Sequence, residues 1–168
     1  MDTNAVANPL ATLFTELVEG AQKTGGYMLN GGDQGLLRSL DTLTAAQASA
    51  LTPTASSIAA HVDHLRYGLS LMNRWSMGED PFQNADWSAS WRKTTVTDES
   101  WQQLRAELRA EAAKWLEALR KPREVDDSEL SGMMGSIAHL AYHFGAIRQI
   151  NQLARGPVDV GVAKDAKA

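Results

Sequence analysis

Apolar residues recur at spacings of three and four through four long stretches of this 168-residue chain, and nowhere do they alternate long enough to suggest a strand. That pattern gives each stretch one apolar face as a helix, and such faces must be buried against one another. The first stretch runs from about Pro9 to Met28. Leu10, Leu13, Phe14, Leu17, Val18 and Ala21 line one side of it, Asn8 and Pro9 give a start signal, and Gly25, Gly26, Gly31 and Gly32 end it. A linking region with Leu36, Leu37, Leu40 and Leu43 has room for a helical turn or two before Thr52-Pro53-Thr54. The second long helix is expected from about Ser56 to Trp75, on Ile58, Val62, Leu65, Leu69 and Met72. The third is capped by Thr97, carries Asp98 and Glu99 in its first turn, and stops at Pro122. The fourth is expected from Ser128 to Arg155, stopped by Gly156-Pro157, and the tail from Val158 to Ala168 is read as frayed. Four such helices in one chain of this length predict a single all-α domain over residues 1–157, a four-helix bundle.

Composition removes several kinds of chemistry. The chain has no cysteine, so disulfides, thiolate metal ligands and a cysteine nucleophile are excluded. The formal net charge is −4 and no basic patch stands out, which argues against a nucleic-acid partner. No stretch reaches the roughly 18 apolar residues of a membrane span. The N-terminal residues do not read as a signal peptide, and the cytoplasm is the expected location. GxSxG, P-loop, GxGxxG and HExxH motifs are all missing, and no carboxylate pair stands out as an acid and a base.

The four histidines are confined to two of the helices. His139 and His143 are four apart on the last, so their rings share a face one turn apart. His61 and His64 are three apart on the second, also on one face. Two imidazoles from the last helix and one from the second would make a three-histidine site, which suits zinc, nickel, copper or iron(II), with nickel, zinc or iron expected, and leaves a position open. By spacing alone, either His61 or His64 can be the third ligand, the other standing behind it or lining the cavity. Histidines so spaced also occur simply as hydrogen-bonded residues of a core or surface. Asp63 is expected to be solvated. Trp87 and Trp91 lie in a long connection between the second and third helices, where packing against the core is the preferred reading over contact with a substrate.

Two segments carry a family resemblance. Ser56 to Leu65 is a serine-led helix start reaching a His-Leu step at His64-Leu65, and Gly135 to Ile150 contains HxxxHxGxIxQ, running from His139 to Gln149. Both resemble the DinB-like (DinB/YfiT-like) metalloenzymes. The resemblance implies an up-down-down-up four-helix bundle and a divalent metal held by His64, His139 and His143. His64 is preferred to His61 because it falls on the His-Leu step, seven residues after Ser57. It also implies a homodimer. Some members are transferases or isomerases that use a low-molecular-weight thiol such as bacillithiol or mycothiol, and many have no known activity. A thiol-dependent S-transferase or a hydrolase is therefore expected, with His61 as a proton carrier. The competing expectation is a non-catalytic, stress-related bundle that the metal merely stabilises. Three further residues have alternative readings. Gly145 either admits a close neighbour or serves tight helix packing. Arg148 binds a substrate anion or an ion-pair partner across a dimer. Tyr142 packs in the core or hydrogen-bonds at the cavity rim.

Overall fold

A computed structural model describes residues 2–155. Seven α-helices are formed there: α1 (Ala7–Glu19), α2 (Leu36–Asp41), α3 (Ala45–Ala48), α4 (Ile58–Ser76), α5 (Trp87–Ser90), α6 (Asp98–Arg120) and α7 (Asp127–Ile150). Short 3-10 turns, Thr3–Ala5 and Gln152–Arg155, flank them, and among the described residues no β-strand forms. The four longest helices touch in a ring. α1 packs on α6 and α7, and α4 packs on the same two. Phe14, Leu17, Ile58, Leu65, Leu108, Trp115, Leu140 and Phe144 are among the residues that fill the shared core. No helix of the described residues is long and apolar enough to cross a membrane.

Local chemistry explains where the helices begin and end. Ser57 caps α4, its hydroxyl accepting from the Ala60 N–H at 3.2 Å. Thr97 and Ser100 form a capping box at the start of α6. α7 starts at Asp127, one residue earlier than the sequence suggested. Its cap is Asp126, which forms a reciprocal box with Glu129, the carboxylate being a stronger acceptor than the Ser128 hydroxyl. The same helix ends at Ile150 rather than at Arg155, where the chain continues as a 3-10 turn. The predicted stop at Gly156-Pro157 and the tail from Val158 to Ala168 lie outside the described residues.

The largest departure is in α1, which spans Ala7–Glu19 instead of Pro9 to Met28. Asn8 is not its cap but lies within the first turn, and Pro9 fits there because that turn has no intrahelical use for its missing N–H. Gly20 ends the helix with a φ of 113°, a conformation an L side chain rarely adopts. The chain then doubles back onto the helix it has left. The Glu16 carboxylate, 6% exposed, accepts from the backbone N–H groups of Tyr27, Met28 and Leu29 at 2.8, 2.7 and 2.6 Å. A Cβ on Gly26 would collide with that carboxylate and could be accepted only by displacing it from its place beside the three N–H groups. Burial raises the Glu16 pKa while the three N–H donors lower it, and the net shift is downward.

Glu16→Ala should therefore cost about 2–3 kcal/mol in a urea denaturation, since three N–H groups lose a charged acceptor. The penalty should be complete above about pH 4.5, where the unfolded carboxyl is ionised, and should shrink as pH falls below that value, because the wild type then loses the same contribution. A variant as stable as the wild type at neutral pH would remove Glu16 as the clasp of this loop.

Candidate metal centre

The four histidines meet where α4 faces α7. The Nε2 atoms of His64 and His139 are 3.1 Å apart, and those of His139 and His143 are 3.0 Å apart. One ring nitrogen from each of His64, His139 and His143 lies within 4.8 Å of the others. His64 and His143 are buried and His139 is half-buried. Of the four, His61 stands behind the group, its Nδ1 2.9 Å from the Nδ1 of His143. The structure thus brings together the three residues named from the sequence and places His61 next to one of them.

This arrangement fits a cation. An imidazole nitrogen either donates one proton or accepts through one in-plane lone pair. The His139 Nε2 therefore cannot satisfy both His64 and His143 with good hydrogen bonds. Three lone pairs turned inward onto a divalent ion are all satisfied at once. In a tetrahedral site with bonds of about 2.0–2.1 Å, ligand nitrogens stand about 3.3 Å apart, close to the two separations seen here. With the lone pairs on Nε2, the protons sit on Nδ1, and two of the three find acceptors. His64 Nδ1 is 3.0 Å from the Ser90 hydroxyl, which in turn donates to the Trp87 carbonyl at 3.1 Å. The Nδ1 of His143 donates to His61. Such outer partners fix tautomer and ring orientation at metal centres.

Several elements hold the rings in place. Ser57 not only caps α4 but donates to the Thr94 carbonyl at 2.7 Å, which ties the 77–97 connection to the helix start four residues before His61. Asp63 is not solvated as expected. It is 5% exposed and pairs with Arg66 at 2.9 Å and Lys93 at 3.7 Å, so it also fastens this connection. The two tryptophans of the connection do not enter the core. Trp91 lies 4.6 Å from the His64 ring and edge-on to His61 at 5.1 Å, and Trp87 is 5.7 Å from His64. They are 36% and 39% exposed and form a roof over the histidines.

The remaining candidates are placed differently. Among the described residues, Tyr142 neither packs in the core nor makes a rim hydrogen bond. It is 73% exposed and stands edge-on against His143 at 5.0 Å. Arg148 is engaged within the chain, pairing with Asp33 at 3.2 Å, donating to the Gln34 carbonyl at 2.8 Å and lying 4.2 Å over the Phe144 ring. A Cβ on Gly145 would meet nothing within 4 Å, so neither close approach nor tight packing demands glycine there. Ser90 was not singled out from the sequence, because a lone serine in a connection carries no spacing signal.

All four histidines are held neutral. Burial lowers the pKa of His64 to about 4, with His139 and His61 adding to the effect and Asp63 opposing it. Burial lowers His143 to about 3, with further depression from His139, His64 and His61. His61 and His139 are also lowered by burial. The lone pairs of His64 and His143 therefore stay available well below neutrality, as metal ligation requires.

The metal-free protein should consequently lose stability in mild acid. As pH falls through about 6.5 the unfolded chain takes up protons that the folded chain still refuses. The melting temperature should drop steadily between pH 7 and pH 5, and the drop should be smaller in His143→Phe. A melting temperature independent of pH over that range would contradict the neutral, desolvated cluster.

Compared with known proteins, the chain matches no family model, no curated protein and no solved structure.

Proposed function

We propose that this protein is a metal-dependent enzyme of DinB-like type, with nickel, zinc or iron held by His64, His139 and His143. The observation that carries the proposal is the convergence of three imidazole nitrogens from two helices on one point. The ring of contacts among α1, α4, α6 and α7 is compatible with the up-down-down-up bundle of that family. The motif from His139 to Gln149 supports it as well.

A divalent ion here supplies Lewis acidity, which favours deprotonation of a thiol or of water near neutral pH. The chain has no thiol of its own, so a thiol-dependent S-transferase draws on a low-molecular-weight thiol as cosubstrate. A hydrolase is the other reaction of this class. The residues around the ligands have distinct parts. Ser90 and His61 orient His64 and His143. His61 accepts at Nδ1, which leaves its proton on Nε2, the atom from which it would pass a proton to or from a reacting group. Trp87 and Trp91 restrict water above the rings. A second copy of the chain completes the proposed assembly as a homodimer.

A catalytic centre is favoured over a purely stabilising one because the apolar core is continuous without the histidines. Removal of the metal by a chelator should then lower the melting temperature only modestly, whereas a site that builds the fold would lose most of its stability.

Elemental analysis of protein purified without an affinity tag should find about one nickel, zinc or iron per chain in the wild type and none in His143→Ala. Ser90→Ala should bind the ion about 10–100-fold more weakly without loss of fold. Absence of metal in the wild type after loading with divalent ions would end the metalloenzyme reading. A loaded protein inert toward both thiol transfer and hydrolysis across a broad substrate screen would leave a metal-stabilised binding bundle instead.

A further inference from the structure

Beside His139, which of the four histidines alone lines it, a cavity of about 270 Å³ lies between α4 and α7. Its walls follow two helical seams that face each other. Leu65, Gly68, Leu69 and Met72 recur at three and four along α4. On α7, Gly132, Gly135, Ser136 and His139 do the same. Phe82 and Trp87 line it from the connection, and it stays open to solvent on the side of the exposed Gly135.

In most helix pairs, side chains at such positions fill the space between the axes. Here three of them are glycine, the poorest helix former after proline. Crowding does not explain that choice. A Cβ on Gly135 would meet nothing within 4 Å, and one on Gly132 would make only ordinary contact with Trp75, at 3.6 Å. On Gly68 it would stand 3.6 Å from Trp87 and 3.8 Å from His139, again ordinary contact. Alanine would fit at all three places. What the glycines preserve is the empty volume.

The lining is apolar except at one end. Ser136 has its proton committed to the Met133 carbonyl and accepts from the Trp115 indole N–H. His139 is different. Both of its close polar contacts are made by Nε2, and among the described residues its Nδ1 has no hydrogen-bond partner, unlike the Nδ1 atoms of His64 and His143. The Cε1–Nδ1 edge of His139 faces Gly68, on the wall of the cavity. With Nε2 turned to the metal, Nδ1 carries a proton and is a donor at the polar end of an apolar chamber.

We propose that this cavity binds the apolar body of the substrate, a ring or a short alkyl chain, with the polar reacting group at the His139 end. The volume is well above the roughly 150 Å³ that admits a benzene ring, so a ring with a short linker or a medium-length chain fits. The proposal rests on the metal-centre reading for the reacting end and on the glycine-lined cavity for the body.

Straight-chain hydroxamic acids, from acetohydroxamic to octanohydroxamic acid, test it by calorimetry on the zinc-loaded protein. Affinity should rise about threefold to fourfold per added methylene until the cavity is full. Gly135→Leu, which removes a helix glycine and so should fold, ought to abolish that rise while keeping the zinc content and the acetohydroxamate affinity of the wild type. Gly68→Ala should blunt it from the opposite wall. A flat series, or a rise that survives both substitutions, overturns the proposal. The metal-free protein gives an independent arm, in which 1-hexanol should shift the Trp87 indole N–H resonance saturably in wild type and not in Gly135→Leu. If no metal loads, the hydroxamate series fails together with the metal centre. The hexanol titration then decides the cavity alone, and an unmoved Trp87 signal overturns it.

Discussion

The site depends on α4 and α7 being pressed face to face. His64 and His139 are 75 residues apart in sequence, and His61 and His143 are 82 apart, yet each pair makes contact through ring nitrogens. No local interaction brings them together. The apolar seams do so, with Leu65 and Val62 on one side and Ile137, Leu140 and Phe144 on the other sharing one core. Burial of that surface is the dominant favourable term in a domain of this size, and it compels the imidazoles on the same faces to leave water as well. Their basicity falls as a result, which keeps lone pairs free at neutral pH.

Burying four imidazoles costs desolvation, and the structure limits that cost by giving most ring nitrogens a polar neighbour. Ser90 serves His64, and His61 serves His143. The inward Nε2 atoms are the remainder, crowded in a way that neutral rings cannot resolve and a cation can. A similar logic operates at the far side of the chain, where the Glu16 carboxylate is buried among three backbone N–H groups. Both are buried polar clusters, but they differ in kind. The donors around Glu16 belong to the chain and complete it, whereas the histidine cluster could hold a metal ion.

The long connection between α4 and α6 gives the centre its cover. It is fastened by Ser57 to Thr94, by Asp63 to Lys93 and by Ser49 to the Val96 backbone N–H. Ser57 and Asp63 lie on α4 or at its cap, beside His61 and His64, so the helix that carries two of the histidines also anchors their roof. The short helix α5 carries both Trp87 and Ser90 and so sets Ser90 against His64. Position and cover are therefore mechanically linked through α4.

Helical periodicity made the four long helices and the shared faces of His61 with His64 and of His139 with His143 legible in the sequence, because side-chain direction along a helix is fixed by residue number. The caps at Ser57 and Thr97 were legible for the same reason, their hydrogen bonds being local. Early termination of α1 was not, since it depends on Glu16 capturing a segment eleven to thirteen residues away. Nor were the parts played by Ser90, Asp63, Trp87 and Trp91, whose partners lie across connections with no periodicity to read. The choice between His61 and His64 is of the same kind. Both share a face of one helix, and only the distance across to α7 sets His64 against His139 and His61 behind His143. The sequence by itself determined which residues ride together on each helix, because that follows from 3.6 residues per turn. Tertiary structure alone decided which helices meet, how far apart the rings stand and what lies over them, because those follow from the packing of side chains distant in sequence.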